Sequence, residues 1–230
     1  MIGARKLELA SDPNLVPGIY NTCDQWCDYC PATARCFSFR ARQGRTGLEA
    51  GLLDAMGSLR DCYEAEGLEM PEEMRLLIAG QIDPARRAAV DPIEQMANQY
   101  LRTAAALIAT IAPEHRHGLF VRRADGPTPL EVFIFYHWTI GVKAARAAAS
   151  GDEAARTGRA AAQRDADCSA KIALLAIDRS DEAMQVIALD DPDPRLERVR
   201  RLAVRLRREL ERRFPAARAL VRPGLDDVAR

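Results

Sequence analysis

Residues 129–150 read PLEVFIFYHWTIGVKAARAAAS, and in the first half of this stretch almost every side chain is apolar. A helix that is apolar on nearly all sides is buried within its domain. Pro129 suits the first turn of a helix, and Gly151 suits the end of one. We therefore predict a buried central helix over 129–150. Its predicted core side chains are Val132, Phe133, Ile134, Phe135, Trp138 and Ile140.

Helical spacing of apolar residues extends on both sides of this helix, and no alternating pattern indicates a strand. Asp91 before Pro92 is typical of a helix start. The DDPDP sequence over 190–194 ends one helix before another begins. The sequence therefore predicts the all-α class, as a helical bundle of five to six helices behind an irregular N-terminal segment. Besides 129–150, the predicted helices are 48–67, 71–81, 92–112, 152–189 in one or two pieces, and 195–214.

The composition narrows the class of the 230-residue chain. Its 48% of apolar residues can form a sizeable core. Its 33 Lys and Arg balance 33 Asp and Glu, so the overall basic charge of a nucleic-acid binder is missing. The sequence has neither the apolar region of a signal peptide nor an uncharged apolar run of about 18 residues. We therefore expect a cytoplasmic protein without membrane association, for which nucleic acid is a disfavoured partner.

Residues 1–47 differ from the rest, because Pro and Gly interrupt every short apolar period. Four of the six cysteines lie there as C-x3-C-x2-C-x5-C, at Cys23, Cys27, Cys30 and Cys36. Cytosolic proteins rarely keep such thiols as disulfides, and neighbouring thiolates repel one another unless a cation offsets their charge. We therefore predict a cysteine-rich metal-binding segment over 1–47 and an α-helical bundle domain over 48–230.

Two metal groups suit this spacing. A 4Fe-4S cluster can take several ligands from one winding loop, with Pro after a ligand and apolar side chains over the sulfurs. Here Pro31 follows Cys30, and both aromatic residues and arginines lie close by in the sequence. Zn²⁺ is the close alternative, although its ligands more often come in two pairs separated by a dozen or more residues. The aromatic residues are Trp26, Tyr29 and Phe37, and the arginines that can offset a cluster's negative charge are Arg35, Arg40 and Arg42.

Residues 27–36, CDYCPATARC, resemble the C-x2-C-P-x4-C staple of RecB-like nucleases, in which a further, distant cysteine completes a 4Fe-4S site. The resemblance implies that Cys27, Cys30 and Cys36 bind a cluster, with Cys23 as the fourth ligand. It implies no nuclease activity, because the chain has no strand-borne Asp followed by a Glu-x-Lys motif.

A longer resemblance joins two stretches, 19–36 (IYNTCDQWCDYCPATARC) and 167–180 (DCSAKIALLAIDRS). Together they are similar to a family of bacterial proteins with an N-terminal cysteine cluster and a helical body. This implies that the cluster belongs to the fold as a unit, and it implies no activity. The other cysteines, Cys62 and Cys168, lie in predicted helices, where a lone Cys is usually a small buried residue. Cys62 can replace Cys23 as a ligand if its helix packs on the loop.

Polar residues on two predicted helices form a second candidate site. If the fourth and fifth predicted helices face each other, the polar residues named below have two interpretations. They form either a small-molecule pocket with an activated lysine or an ion-pair network that fixes helix register. The network is favoured, because no third catalytic partner is evident. His137 is expected to be a core histidine. The residues are Tyr136, Thr139 and Lys143 on the fourth predicted helix, and Asp167, Lys171 and Asp178 on the fifth.

The last predicted helix is rich in arginine, with nine Arg between 195 and 213. Glu197, Glu209 and Glu211 interrupt this charge, and no aromatic residues are interleaved with it. Nucleic-acid surfaces usually combine basic and aromatic side chains. The pattern therefore favours a solvated face with local ion pairs.

The sequence thus predicts a metal-binding protein whose 4Fe-4S cluster is structural or transfers electrons, with Cys23, Cys27, Cys30 and Cys36 as ligands. An unidentified protein or small molecule would bind the helical body. The first alternative is a zinc-stabilised module that binds an acidic partner or nucleic acid through the arginine-rich helix. The second is an enzyme with a pocket at Tyr136, Lys143 and Lys171. The sequence does not decide whether the protein is an enzyme.

Overall fold

The computed structural model describes residues 9, 11–41, 91–112 and 123–226. In these residues the chain forms α-helices and short 3-10 helices and no strand, which confirms the all-α prediction. The predicted helices 48–67 and 71–81 lie outside the described residues. The α-helices are α1 (Phe37–Ala41), α2 (Pro92–Ile111), α3 (Pro129–Thr157), α4 (Ala160–Asp190) and α5 (Pro194–Arg213), and the 3-10 helices are Ile19–Asn21, Cys27–Tyr29, Thr33–Arg35 and Ala217–Ala219.

Helices α2 to α5 form a four-helix bundle around one core. Both α2 and α4 pack against α3 and against α5. Only residues 158–159 separate α3 from α4, and only 191–193 separate α4 from α5. Such short connections make successive helices antiparallel neighbours. The largest fully buried side chains of the bundle include Tyr100, Phe133, Ile140, Ile177, Met184, Leu206 and Leu210.

The helix starts follow local sequence rules. Each of α2, α3 and α5 begins with a proline that follows a polar capping residue. Asp91 Oδ1 accepts a hydrogen bond from the Ile93 N–H at 2.7 Å. Thr128 and Glu131 cap each other's backbone N–H groups at the start of α3. The starts predicted at Pro92 and Pro129 are confirmed, and α5 begins one residue before the predicted start.

The predicted end of the central helix at Ser150 is wrong. Helix α3 continues to Thr157 and ends at Gly158, whose φ of +69° lies in the left-handed region that favours glycine. Gly151 instead stays helical, and a Cβ there would lie 3.1 Å from Cε1 of Phe214. Residues 152–157 therefore belong to α3, and α4 begins at Ala160. The sequence near either glycine is compatible with a helix end. In the folded protein, the ring of Phe214 packs where a Cβ of residue 151 would lie, so a glycine suits this position within a continuous helix.

One predicted core residue lies on the outside of the bundle. Phe133, Ile134 and Ile140 are buried as predicted, and Val132 and Phe135 are partly buried against the core. Trp138, however, is 59% exposed. A run that is apolar on all sides has no periodicity that identifies the inward face. The facing of Trp138 therefore depends on where α2 and α4 lie.

None of the described helices combines the length and apolar character that crossing a membrane requires.

Candidate metal centre and adjoining groove

The cysteine segment, residues 11–41, folds around its own small core. The Val16 N–H donates to the Arg35 carbonyl at 3.0 Å, which brings the two ends of the thiol-bearing loop together. Three 3-10 turns and the short helix α1 shape the chain between and after them. The buried residues of this core are Val16, Ile19, Ala32 and Cys36, with Cys30, Phe39 and Leu225 packed against them.

All four cysteines of the motif line one cavity of about 20 Å³. The other walls of this thiol cavity are largely apolar, and none of the described cysteines forms a disulfide. Within the described residues, no three His, Cys, Asp or Glu side chains are grouped as the ligands of a metal ion. The structure therefore brings the four thiols to a common cavity without placing them in a coordination geometry. The apolar wall residues are Ile19, Trp26, Ala32, Phe39 and Leu225.

A tight turn between the first two cysteines directs the chain around the cavity. Gln25 has a φ of +65°, a backbone conformation that residues other than glycine rarely adopt. The backbone N–H of Cys27 donates to the Gln25 carbonyl at 2.9 Å, and the backbone N–H of Trp26 donates to Asp24 Oδ1 at 3.2 Å. An unusual backbone conformation of this kind costs about 1–3 kcal/mol and persists only where surrounding contacts maintain it.

Two of the four thiols are poor acids in this environment. Burial raises the pKa of Cys23 and of Cys30, and the negative charge of Asp24 raises both further. Cys23 and Cys30 are therefore protonated at neutral pH, and a metal must displace their protons to bind. Metal affinity at this site should consequently fall as the pH falls.

Asp24 anchors the cysteine segment to the bundle. Its Oδ2 accepts hydrogen bonds from Tyr136 Oη on α3 and from Arg179 Nη1 on α4, each at 2.8 Å. Arg179 Nη1 also donates to Tyr136 Oη. Trp26 stacks on Phe135 with ring centres 4.2 Å apart and an interplanar angle of 12°. One carboxylate and one indole thus fix the thiol loop to two helices.

The C-terminal segment, residues 214–226, holds the loop from the other side. Arg222 pairs with Asp226 at 2.7 Å and donates to the Thr22 carbonyl at 3.4 Å. Lys171 of α4 pairs with Asp226 at 2.9 Å. Gly224 has a φ of +75°, and a Cβ there would lie 2.8 Å from Cγ2 of Val16. A glycine is therefore required where this segment packs on the cysteine segment.

A larger groove of about 860 Å³ adjoins the thiol cavity. One face of α4 lines it over 172–186, and the start of α3 forms a further part of its wall. Five residues line both spaces, so the two are contiguous. These shared residues are Cys23, Asp24, Trp26, Cys30 and Leu225.

The predicted polar patch at Tyr136, Lys143 and Lys171 is not assembled in one place. Tyr136 bonds to Asp24 and lines the groove, whereas Lys171 pairs with Asp226, which lies at the edge of the groove. Lys143 is half-buried, and burial, followed by the charge of Arg146, lowers its pKa. Neither lysine lines the groove. The structure therefore distributes these residues over separate contacts.

Asp167 and Asp178, the acidic members of that patch, also make separate contacts. Asp167 Oδ1 accepts from Gln163 at 3.1 Å within α4, and Asp178 pairs with Arg218 at 2.7 Å. Asp178 therefore ties the C-terminal segment to α4.

His137 is half-buried, with Nδ1 2.5 Å from the Ile134 carbonyl, and burial lowers its pKa. The engaged ring nitrogen agrees with the prediction for His137, but the side chain is only half-buried and does not belong to the buried core.

Arginines of α5 form ion pairs that reach other elements of the protein. Arg200 pairs with Asp181 at 2.6 Å, and Arg213 pairs with Asp91 and with Asp152. These contacts join α5 to α2, α3 and α4, beyond the local pairs that the sequence predicts. Much of the arginine charge is therefore neutralised within the bundle, which weakens the case for a nucleic-acid surface on this helix.

Three further sequence candidates lie away from the thiol cavity or outside the described residues. Cys168 is buried and lines a different cavity of about 460 Å³, with Asn21 and Thr22 among its walls. Arg40, expected to offset cluster charge, pairs with Asp12 at 2.5 Å. Cys62, the possible substitute ligand, lies outside the described residues.

Sequence reasoning missed the residues that attach the thiol loop to the bundle, namely Asp24, Arg179, Arg222 and Asp226. Asp24 stands between two cysteines of the motif, and Arg179 lies within the 167–180 stretch. Their positions were therefore visible as neighbours of recognised motifs. Their pairing was not, because it joins distant parts of the chain.

Comparison with protein-family models, curated proteins and solved structures found no match to this chain.

Replacing Asp226 with Asn is expected to destabilise the protein in a pH-dependent way. Hydrogen bonds from Arg222, opposed by burial and reinforced by Lys171, lower the pKa of Asp226 in the folded state. A carboxylate with a depressed folded-state pKa contributes stability above its unfolded pKa of about 4, and loses it as the pH falls. We expect a loss of about 1 kcal/mol at pH 7 that shrinks at pH 3, measured by urea unfolding.

Asp125→Asn is the matched control, because the ion pair of Asp125 with Arg123 is exposed and such pairs contribute little. Equal losses at pH 7 and pH 3 in Asp226→Asn would contradict the expected linkage.

Proposed function

We propose that this is a metal-binding protein that holds a 4Fe-4S cluster on Cys23, Cys27, Cys30 and Cys36, in a structural or electron-transferring role. The observation that carries the proposal is the convergence of all four thiols on one otherwise largely apolar cavity. No disulfide among the described cysteines consumes them. A cytoplasmic location belongs to the proposal, because reducing compartments keep such thiols free.

The surroundings of the thiols suit a cluster. Each thiolate of a 4Fe-4S cluster binds a different iron, so its ligands are spaced more widely than those of a single ion. Trp26, Phe39 and Leu225 give the cavity apolar walls, and Pro31 follows Cys30. Arg222 lies close enough to Cys30 for its charge to favour the thiolate form. When bound, the cluster would supply one-electron chemistry, and the chain would set its solvent access and charge.

Zn²⁺ remains the second candidate, and the size of the cavity favours it. About 20 Å³ is roughly the room that one water molecule needs. A single ion fits that room, whereas a cluster requires the loop to widen. The protein would then be a zinc-stabilised interaction module, in which metal binding supplies folding energy to the cysteine segment.

Anaerobic purification followed by a visible spectrum and analysis of iron, sulfide and zinc tests the proposal. A brown protein with about four iron and four sulfide ions per chain is expected for the cluster. A colourless protein with about one zinc per chain would replace it with the zinc alternative. Less than about a tenth of an equivalent of either metal, after anaerobic reconstitution as well, would refute both.

A further inference from the structure

The groove beside the thiol cavity has the dimensions of a small-molecule site. Its volume of about 860 Å³ falls within the range of roughly 300–1,000 Å³ that is typical of ligand pockets. Apolar side chains such as Val132, Leu175 and Val186 line much of it. Such a space suits a compact molecule with an apolar body.

Arg179 supplies a partly engaged cation in this groove. Its side chain is 53% exposed, and only Nη1 donates to Asp24 and Tyr136. Its Nε and Nη2 groups make no hydrogen bond with any described residue. A planar guanidinium with adjacent free N–H groups matches a carboxylate in a two-point contact. The hydrogen bonds of Nη1 to Asp24 and Tyr136 hold the Nε and Nη2 groups in place.

The other charged residues of the groove narrow the choice of ligand. Arg222 already uses Nε, Nη1 and Nη2 on Asp226 and Thr22. Asp24 and Asp226 line the groove as the ion-pair partners of Arg179 and Arg222, and Glu182 adds a further negative charge. A doubly charged anion such as a phosphate monoester is therefore disfavoured, and a singly charged carboxylate fits best.

We propose that this groove binds a small monocarboxylate with an apolar body, whose carboxylate pairs with Nε and Nη2 of Arg179. The apolar body lies against the walls formed by α3 and α4. Cys23 and Cys30 line the same groove, so the bound molecule lies beside the thiols. Binding itself does not depend on which metal occupies the thiol cavity.

Saturation-transfer NMR with three probes tests this site on the full chain. The probes are 2-naphthoate, 1-naphthyl phosphate and 2-naphthylmethylamine, which share a ring system and differ in charge. We expect 2-naphthoate to bind at least tenfold more tightly than either of the others. Equal or tighter binding of the amine or the phosphate, or no binding of 2-naphthoate, would overturn the proposal.

Variants locate the binding. Arg179→Met is expected to weaken 2-naphthoate at least tenfold, and Arg146→Met is the matched control, because Arg146 is 55% exposed and lies outside the groove. Leu175→Trp enlarges a side chain that lines the groove and keeps Asp24, Tyr136 and Arg179 unchanged, so it should weaken binding of 2-naphthoate at least fivefold even if Arg179→Met does not fold. Undiminished binding in Leu175→Trp would refute the site. Metal content measured in each sample separates this result from the outcome for the thiol cavity.

Discussion

Serine at Cys23, Cys27, Cys30 and Cys36 together is expected to remove all bound metal and to lower the melting temperature by about 10 °C. Serine keeps the size of the side chain and loses the thiolate, which is the metal ligand. The cysteine segment has only a small core of its own. Loss of the metal should therefore cost it several kcal/mol. Metal analysis and thermal unfolding of anaerobically purified protein measure the two effects.

Cys168→Ser is the control for this experiment. Cys168 is also a thiol with little exposure, but it lines a different cavity. The Cys168→Ser protein should therefore retain its full metal content. Unchanged metal content in the fourfold variant would contradict the metal centre altogether.

Single substitutions identify the fourth ligand. Loss of metal in Cys23→Ser with full retention in Cys62→Ser supports the ligand set proposed above. The reverse pattern would assign that position to Cys62.

Asp24→Ala is expected to destabilise the protein by about 1–3 kcal/mol, the second-largest effect. The substitution leaves the buried hydroxyl of Tyr136 without its carboxylate acceptor and removes the acid that pairs with Arg179. It also removes the acceptor of the Trp26 N–H inside the cysteine turn. Chemical unfolding measures the loss. In metal-loaded protein, faster release of metal to a chelator should accompany it, because Asp24 shapes the turn between two ligands.

Asp28→Ala is the matched control, since Asp28 is an exposed acid between two cysteines of the same segment. Its effect should stay within about 0.5 kcal/mol. A double-mutant cycle of Asp24→Ala with Arg179→Met should give a coupling energy above about 0.5 kcal/mol. Additive losses, or equal effects of the two aspartate variants, would show that Asp24 is not an anchor.

The sequence predicts where helices start better than where they end or which of their sides face the core. Asp91 and Thr128 cap helices through contacts within three residues, so their sequence neighbours contain the whole signal. Gly151 and Gly158 are equivalent in the sequence, and the ring of Phe214 lies against only one of them. Trp138 shares its apolar character with neighbours that are buried. Its exposure follows from which sides of α3 the other helices cover.

The candidate site divides in the same way. The thiol cavity was predictable from the spacing of Cys23 to Cys36, because cysteines that lie so close in the chain can meet at little cost in chain entropy. The alternative of a pocket at Lys143 and Lys171 rests on helix periodicity alone. Periodicity places residues on a face of one helix, but it does not say what covers that face. In the folded protein, the C-terminal segment covers Lys171.

By itself, the sequence determined the helical class, the capped helix starts and the closeness of four thiols, since each depends on residues near one another in the chain. Tertiary structure alone decided the anchor at Asp24, which bonds to Tyr136 across 112 residues and to Arg179 across 155. It also decided the groove, whose walls come from the cysteine segment, α3, α4 and the C-terminal segment. Contacts over such separations form only when the bundle core has packed, because burial of that core offsets the entropy of closing long loops.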